Sequence, residues 1–239
     1  TTEIYTLSLH DALPICYLPL REEIARFVGR YRGIETHPDN IVIGAGGETL
    51  IPIIKLLAGS QMIVGVENPG YPKTEKIYRM NGIATIPVPL DEFGLSLNRE
   101  IAKNANLLHV TPSHQFPTGK VMPISRRLEL LEWARSATGR LLVEDDYDSE
   151  FRFDGNPIPS LAGLDKDGRV IYLNSFTKSV APSLRISFMV LPDDLRDHFL
   201  RDYPFYTCPV SLIGQVALHR FMSKGLFERH LNRMKIIYR

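Results

Sequence analysis

The chain is short of most features that mark a specialised class. It has two cysteines, Cys16 and Cys208, in 239 residues. That is too few for a disulfide framework and fits a reducing compartment. No apolar run approaches the roughly 18–20 residues that span a bilayer. No basic-then-apolar leader ending in a cleavage site opens the chain. Both absences point to a cytoplasmic protein with no membrane partner. Surplus charge is missing too: 28 Lys+Arg stand against 27 Asp+Glu, a formal net charge of +1. A nucleic-acid surface needs excess Lys and Arg to neutralise phosphates, so the main argument for one is gone. There is no internal repeat and no low-complexity tract. What remains, 44% hydrophobic and 23% charged, is the composition of an ordinary globular protein.

The two ends stand apart. Residues 1–16, opening TTEIYTLSLHDALPI, resemble translated sequencing-adapter DNA and read as a non-native or disordered leader. Residues 17–239 read as one domain. Leu226 to Arg239 has helical spacing, with Leu231, Met234 and Ile237 or Tyr238 on one stripe, and no stop signal follows. The expectation is a fragment truncated at its C-terminus.

From Tyr17 onward, helix and strand patterns alternate. Leu20 to Arg32 places Leu20, Ile24, Phe27, Val28 and Tyr31 on one face, with Gly33 as the stop. Seven strands are predicted: Ile41–Ile43, Met62–Val66, Ala84–Val88, Asn106–Thr111, Arg140–Asp145, Val170–Asn174 and Ile186–Leu191. Helices are predicted over Glu48–Leu57, Tyr71–Met80, Ile124–Thr138, Asp193–Asp202 and Leu212–Met222. This is an α/β chain with a mostly parallel seven-stranded sheet covered on both faces. Ligands of such sheets sit outside the carboxyl ends of the strands.

The unusual residues gather at those ends. Strand 170–174 runs into Ser175-Phe176-Thr177-Lys178, followed by Leu184-Arg185. An amine there can form a Schiff base with an aldehyde, and the hydroxyls with Arg185 can grip a phosphate. Taken alone, the segment also reads as a surface lysine in a turn. Strand 140–145 ends in Glu144-Asp145-Asp146-Tyr147. Asp145 suits a pyridine nitrogen, which its charge would keep protonated, and Tyr147 suits a ring oxygen. The same acids, with Asp148 and Glu150, also fit a solvated loop or a Mg²⁺ or Ca²⁺ site. Gly44-Ala45-Gly46-Gly47 opens a helix and reads equally as backbone N–H groups offered to an anion or as a tight strand-to-helix turn. It fails the dinucleotide fingerprint, because Thr49 stands where the last glycine belongs. Asn68-Pro69-Gly70 places Tyr71 at a helix start, where the aromatic reads equally as a ring able to stack on a planar cofactor or as a half-buried core tyrosine.

Five motifs in this order, YLPLREEIA, NPGYPKT, VTPSHQFPTGKVMP, VEDDYDSEFRF and SFTKSVAPSLRIS, resemble the fold-type I pyridoxal-phosphate enzymes. The resemblance is closest to the aminotransferase-like domain of MocR/GabR-type transcription regulators. It implies a large cofactor-binding domain, with the C-terminal small domain largely missing. It implies Lys178 as the Schiff-base lysine and proton shuttle, Asp145 as partner of the pyridine nitrogen and Tyr147 as the phenol near the ring oxygen. It implies Tyr71 as the stacking ring, and Gly46, Gly47, Ser175, Thr177 and Arg185 as the phosphate cup. His114 and Gln115 fall in the loop beneath the ring. Lys73 stands where well-studied members carry an arginine that grips a substrate carboxylate, and a lysine lacks the bidentate fork. Phe116, where transaminases usually place an asparagine, favours the regulator branch. Glu48 replaces a common glutamine.

The function implied is an effector-sensing domain that binds pyridoxal 5′-phosphate and forms a Schiff base with an amino acid or amine. The intact protein would be a homodimer, reaching DNA only through a winged-helix domain that this chain does not contain. A fragment of a catalytically competent class I/II aminotransferase is the alternative. A metal-dependent phosphohydrolase using the acidic loop is a remote third reading, and no metal site is expected.

Overall fold

A computed structural model describes residues 16–59, 61–148, 150 and 158–237. The leader Thr1–Ile15, the motif residues Ser149 and Phe151 to Phe153, and Tyr238 lie outside the described residues.

In chain order the strands are β1 (Ile41–Gly44), β2 (Ile63–Asn68), β3 (Ala84–Asp91), β4 (Gly94–Leu95), β5 (Leu107–Val110), β6 (Leu141–Asp145), β7 (Val170–Ser175) and β8 (Ser187–Val190). The helices are α1 (Leu18–Arg32), α2 (Gly47–Ala58), α3 (Pro72–Met80), α4 (Arg99–Asn104), α5 (Ile124–Arg135), α6 (Leu161–Leu164), α7 (Phe176–Ser179), α8 (Asp193–Asp202), α9 (Leu212–Ser223) and α10 (Leu226–Ile237). Among the described residues the sheet has eight strands, in the order β1-β8-β7-β6-β5-β2-β3-β4. The seven-strand expectation is therefore corrected by β4. That strand is two residues long, and it folds back antiparallel on β3 through Asp91–Gly94. So short a strand carries no readable alternation.

The pairs from β3 through β2, β5 and β6 to β7 are parallel. β8 runs antiparallel to both β7 and β1. The carboxyl ends of β1, β2, β5, β6 and β7 thus share one edge with the start of β8. This is the crossover arrangement that alternating strands and helices impose.

Side-chain alternation divides the core in two. Val42, Val64, Leu107, Val143, Ile171, Leu173 and Met189 pack under α2, α3 and α8. Ile41, Ile43, Tyr172, Phe188 and Val190 face the other way, under α1, α9 and α10, and Val88, Leu108, Val110 and Leu142 pack near α5. Strands buried on both faces read as continuous apolar runs for this reason. α1 ends where sequence places it: Gly33 adopts φ +69°, and the Gly33 and Ile34 N–H groups close on the Gly29 and Val28 carbonyls.

The cysteines depart from expectation. Cys16 and Cys208 join as a disulfide with Cα atoms 5.5 Å apart. The fold brings both beside β1, although 192 residues separate them. Cys16 has φ +78°, a backbone region that favours glycine. Among the described residues no helix is long and apolar enough to cross a membrane.

A charged cluster lies inside the fold. Arg32 of α1 and Arg127 of α5 are 6% and 0% exposed. Arg32 Nε sits 2.6 Å from Asp146 Oδ2, and Arg127 Nη1 sits 3.6 Å from Glu144 Oε1. Tyr172 donates to Asp146 Oδ2 at 2.6 Å, and Asn174 Nδ2 donates to Glu150 Oε1 at 3.1 Å. Glu144 also accepts from the backbone N–H groups of Leu161 and Ala162. Burial, then the charge of Asp146, pushes Glu150 up to about 7. A proton held there brings two arginines and three carboxylic acids toward neutrality, which so dry a cluster requires.

Candidate active site

The carboxyl edge of the sheet carries a cavity of about 190 Å³. It is lined by Gly46, Gly47, Glu48, Tyr71, Lys73, His109, Asp145, Tyr147, Ser175, Thr177, Lys178, Arg185 and Ser187, among others. Ten of the twelve residues expected in the site meet there. A larger cleft, about 470 Å³, lies at the opposite edge between Asn40, Asp165 and Arg196, and holds none of them.

Each wall follows from local structure. β6 delivers Asp145 to the α2–α3 face, while its neighbours Glu144 and Asp146 turn to the buried arginines. Strand periodicity forces this split. The five acids around the end of β6 therefore split: Glu144, Asp146 and Glu150 join the buried cluster, Asp145 faces the cavity, and Asp148 pairs with His114 Nδ1 at 2.7 Å. Among the described residues no three His, Cys, Asp or Glu side chains gather in a form that could hold a metal.

Behind Asp145 stands a residue that sequence reading missed. His109 of β5 places Nε2 3.3 Å from Asp145 Oδ2, and its Nδ1 lies 3.0 Å from the Tyr78 hydroxyl on α3. Burial, then the Asp145 charge, raises Tyr78 and keeps its phenol protonated. A phenol donating to Nδ1 leaves the imidazole proton on Nε2, directed at Asp145. The available signal was a single histidine inside the apolar run Leu107-Leu108-His109-Val110.

β7 ends in Ser175, whose hydroxyl caps the one-turn α7 by accepting from the Thr177 N–H. The hydroxyls of Ser187, Ser175 and Thr177 form a chain, each step 2.9 Å. The turn of α7 presents Lys178, with Nζ 4.1 Å from the centre of the Tyr147 ring. The Tyr147 hydroxyl donates to the His114 carbonyl at 2.8 Å. Burial first, then Asp148, Asp145 and Glu67, raises that phenol and keeps it protonated.

The glycine loop and Arg185 complete the site. Gly46 has φ +101°, and a Cβ on it would lie 2.5 Å from Arg185 Nη2. Arg185 itself occupies the left-handed region at φ +50°, a strained backbone of the kind found at ligand clamps. Tyr71 is half exposed and meets Phe116 edge-on, ring centres 5.6 Å apart.

His114 and Gln115 do not reach the cavity. The His114 ring stacks on Tyr147 and pairs with Asp148. Gln115 is buried, and Glu67, the Pro69 and Phe116 carbonyls and Thr118 take up its amide. It pins the 112–119 loop to the end of β2. Burial raises Glu67, although Thr111 and Gln115 hydrogen-bond to it.

This arrangement has known counterparts. The class I and II aminotransferase family matches residues 8–239, and the chain belongs to that family. It is 41% identical over 220 residues to the uncharacterised HTH-type transcriptional regulator YdeL of Bacillus subtilis, covering 92% of this chain and 47% of that protein. It is 39% identical over 220 residues to the probable rhizopine catabolism regulatory protein MocR of Rhizobium meliloti, covering 92% of this chain and 44% of that one. The kynurenine aminotransferase structure of Pyrococcus horikoshii superposes with a TM-score of 0.80 at 27% identity, covering 99% of this chain and 62% of that one. The fold is thus that of the aminotransferase large domain, and the regulators are relatives through their aminotransferase-like part. The chain spans about half the length of the curated relatives it matches.

Proposed function

We propose that this chain is the effector-sensing domain of a MocR-type regulator, binding pyridoxal 5′-phosphate and an amino acid or amine. The observation that carries the reading is the convergence of Lys178, Asp145 and the Gly46–Arg185 cradle on one cavity. These residues fit the cofactor. Lys178 supplies an amine for its aldehyde, and Asp145 an anion for its ring nitrogen. Gly46, Gly47, Ser175, Thr177 and Arg185 supply donors for its phosphate. Tyr71 and Tyr147 offer aromatic surface at the cavity wall. When bound, the cofactor supplies an electron sink for bonds at the ligand Cα.

The chain's own residues do the rest. The Nε2–H of His109 orients Asp145 and stabilises its charge. Lys178 is placed to hold a proton at Nζ beside the ligand and return it. Tyr147 packs under Nζ and excludes water from one side of it. The regulator reading is favoured over a fragment of a competent transaminase by the tied-up cation Lys73, whose Nζ is 3.4 Å from Glu48. The test is a titration of the cofactor-loaded chain with amines and amino acids. A change in the cofactor's visible absorbance with one ligand class, and no more than one equivalent of oxo product, is expected. Sustained release of oxo product would instead show a transaminase.

A further inference from the structure

Glu48 enters the reading above only as the partner of Lys73, yet it sits among the residues assigned to the phosphate. It lies in the first turn of α2, and Arg185 Nη2 donates to its Oε1. Lys73 Nζ approaches the same oxygen at 3.4 Å. The other oxygen, Oε2, would lie 2.7 Å from a Cβ on Gly46, so the carboxylate sits over the glycine cradle. Burial favours its protonated form, but its own backbone N–H, Arg185 and Lys73 outweigh that and hold it below the usual carboxylate range. Glu48 is therefore an anion at neutral pH, resting on the two cations that a phosphate and a ligand carboxylate would need.

We infer that Glu48 is an internal counter-anion that competes with the cofactor phosphate for Arg185 and neutralises Lys73 against a ligand carboxylate. Charge counting supports both halves. Arg185 and Lys73 together carry two positive charges, and a phosphate dianion alone balances them. With Glu48 present the group is one negative charge in surplus. A phosphate seated at Arg185 repels Glu48 and leaves it to Lys73, the remaining partner. The ligand class that fits is then an amine that brings no carboxylate to Lys73. This specificity rests on the cofactor reading above, whereas the competition at Arg185 is a property of the chain alone.

The test is Glu48→Gln, which keeps the shape and removes the charge. Inorganic phosphate is titrated calorimetrically into the chain without cofactor. Pyridoxal 5′-phosphate and pyridoxal are titrated in parallel by absorbance. The variant is expected to bind phosphate and the phosphorylated cofactor on the order of tenfold more tightly, a size suited to a half-exposed charge contact. Pyridoxal, which has no phosphate, should change little. The loaded variant should also gain affinity for an amino acid relative to the amine that lacks its carboxylate. Unchanged or weaker phosphate binding in Glu48→Gln overturns the inference, as does an equal gain for pyridoxal. Failure of the cofactor to attach in the wild type, with phosphate still tighter in the variant, would overturn the functional reading and spare the competition.

Discussion

Replacing Asp145 by asparagine is expected to leave the cofactor attached and to slow hydrogen exchange at the ligand Cα by roughly a hundredfold or more. The reasoning is electrostatic. Asp145 ends β6 beside the cavity, and His109, backed by Tyr78, holds it in place. In the proposed function its charge keeps the cofactor's pyridine nitrogen protonated and the ring electron-withdrawing. Losing about 3 kcal/mol of that stabilisation corresponds to about two orders of magnitude in rate. Deuterium exchange followed by NMR on the loaded chain reads the effect directly. An exchange rate within a factor of three of wild type would remove Asp145 from its assigned place. The neighbouring Asp146→Asn should leave exchange nearly intact and lower stability, because Asp146 faces Arg32 and Tyr172 instead.

Arg32→Ala is expected to destabilise the fold by about 3–5 kcal/mol, the cost of leaving a buried carboxylate without its partner. Arg32 joins α1 to β6 through Asp146, and to the site loop through Ser113, whose hydroxyl accepts at 2.8 Å. The arginine is almost wholly buried, so water cannot replace it in the native state. For a domain of this size the loss corresponds to a drop of roughly 6–20 °C in Tm. Thermal unfolding followed by circular dichroism tests it. A shift below about 2 °C would mean that the cluster relaxes around the gap.

Much of this architecture is legible in the sequence, and the illegible parts share a cause. Apolar runs ending in polar residues mark the strands and their ligand edge, because strands buried on both faces must be apolar throughout. Strand order is not written locally. Neither is the antiparallel β8, whose run Ser187-Phe188-Met189-Val190 resembles that of any parallel neighbour. Arg32 and Arg127 look like the solvated face of amphipathic helices, and only the packed fold shows that each meets an acid of β6 or its end. His109 reads as one polar interruption of a core strand until Tyr78 and Asp145 stand on either side of it. The separation of Asp145 from Glu144 and Asp146 was within reach, since a period of two assigns them to opposite faces. Gln115 is the opposite case: it stands in the motif VTPSHQFPTGKVMP, which carries the resemblance, and its amide holds the loop together.

Lys178 is expected to be the amine to which the cofactor is bound. Borohydride reduction of the chain loaded with pyridoxal 5′-phosphate, followed by digestion and mass mapping, tests it in one step. The label should lie on the peptide containing Lys178 and be absent from the Lys178→Ala variant. A label on Lys55, Lys73 or Lys120, or one that persists undiminished in that variant, would contradict the account.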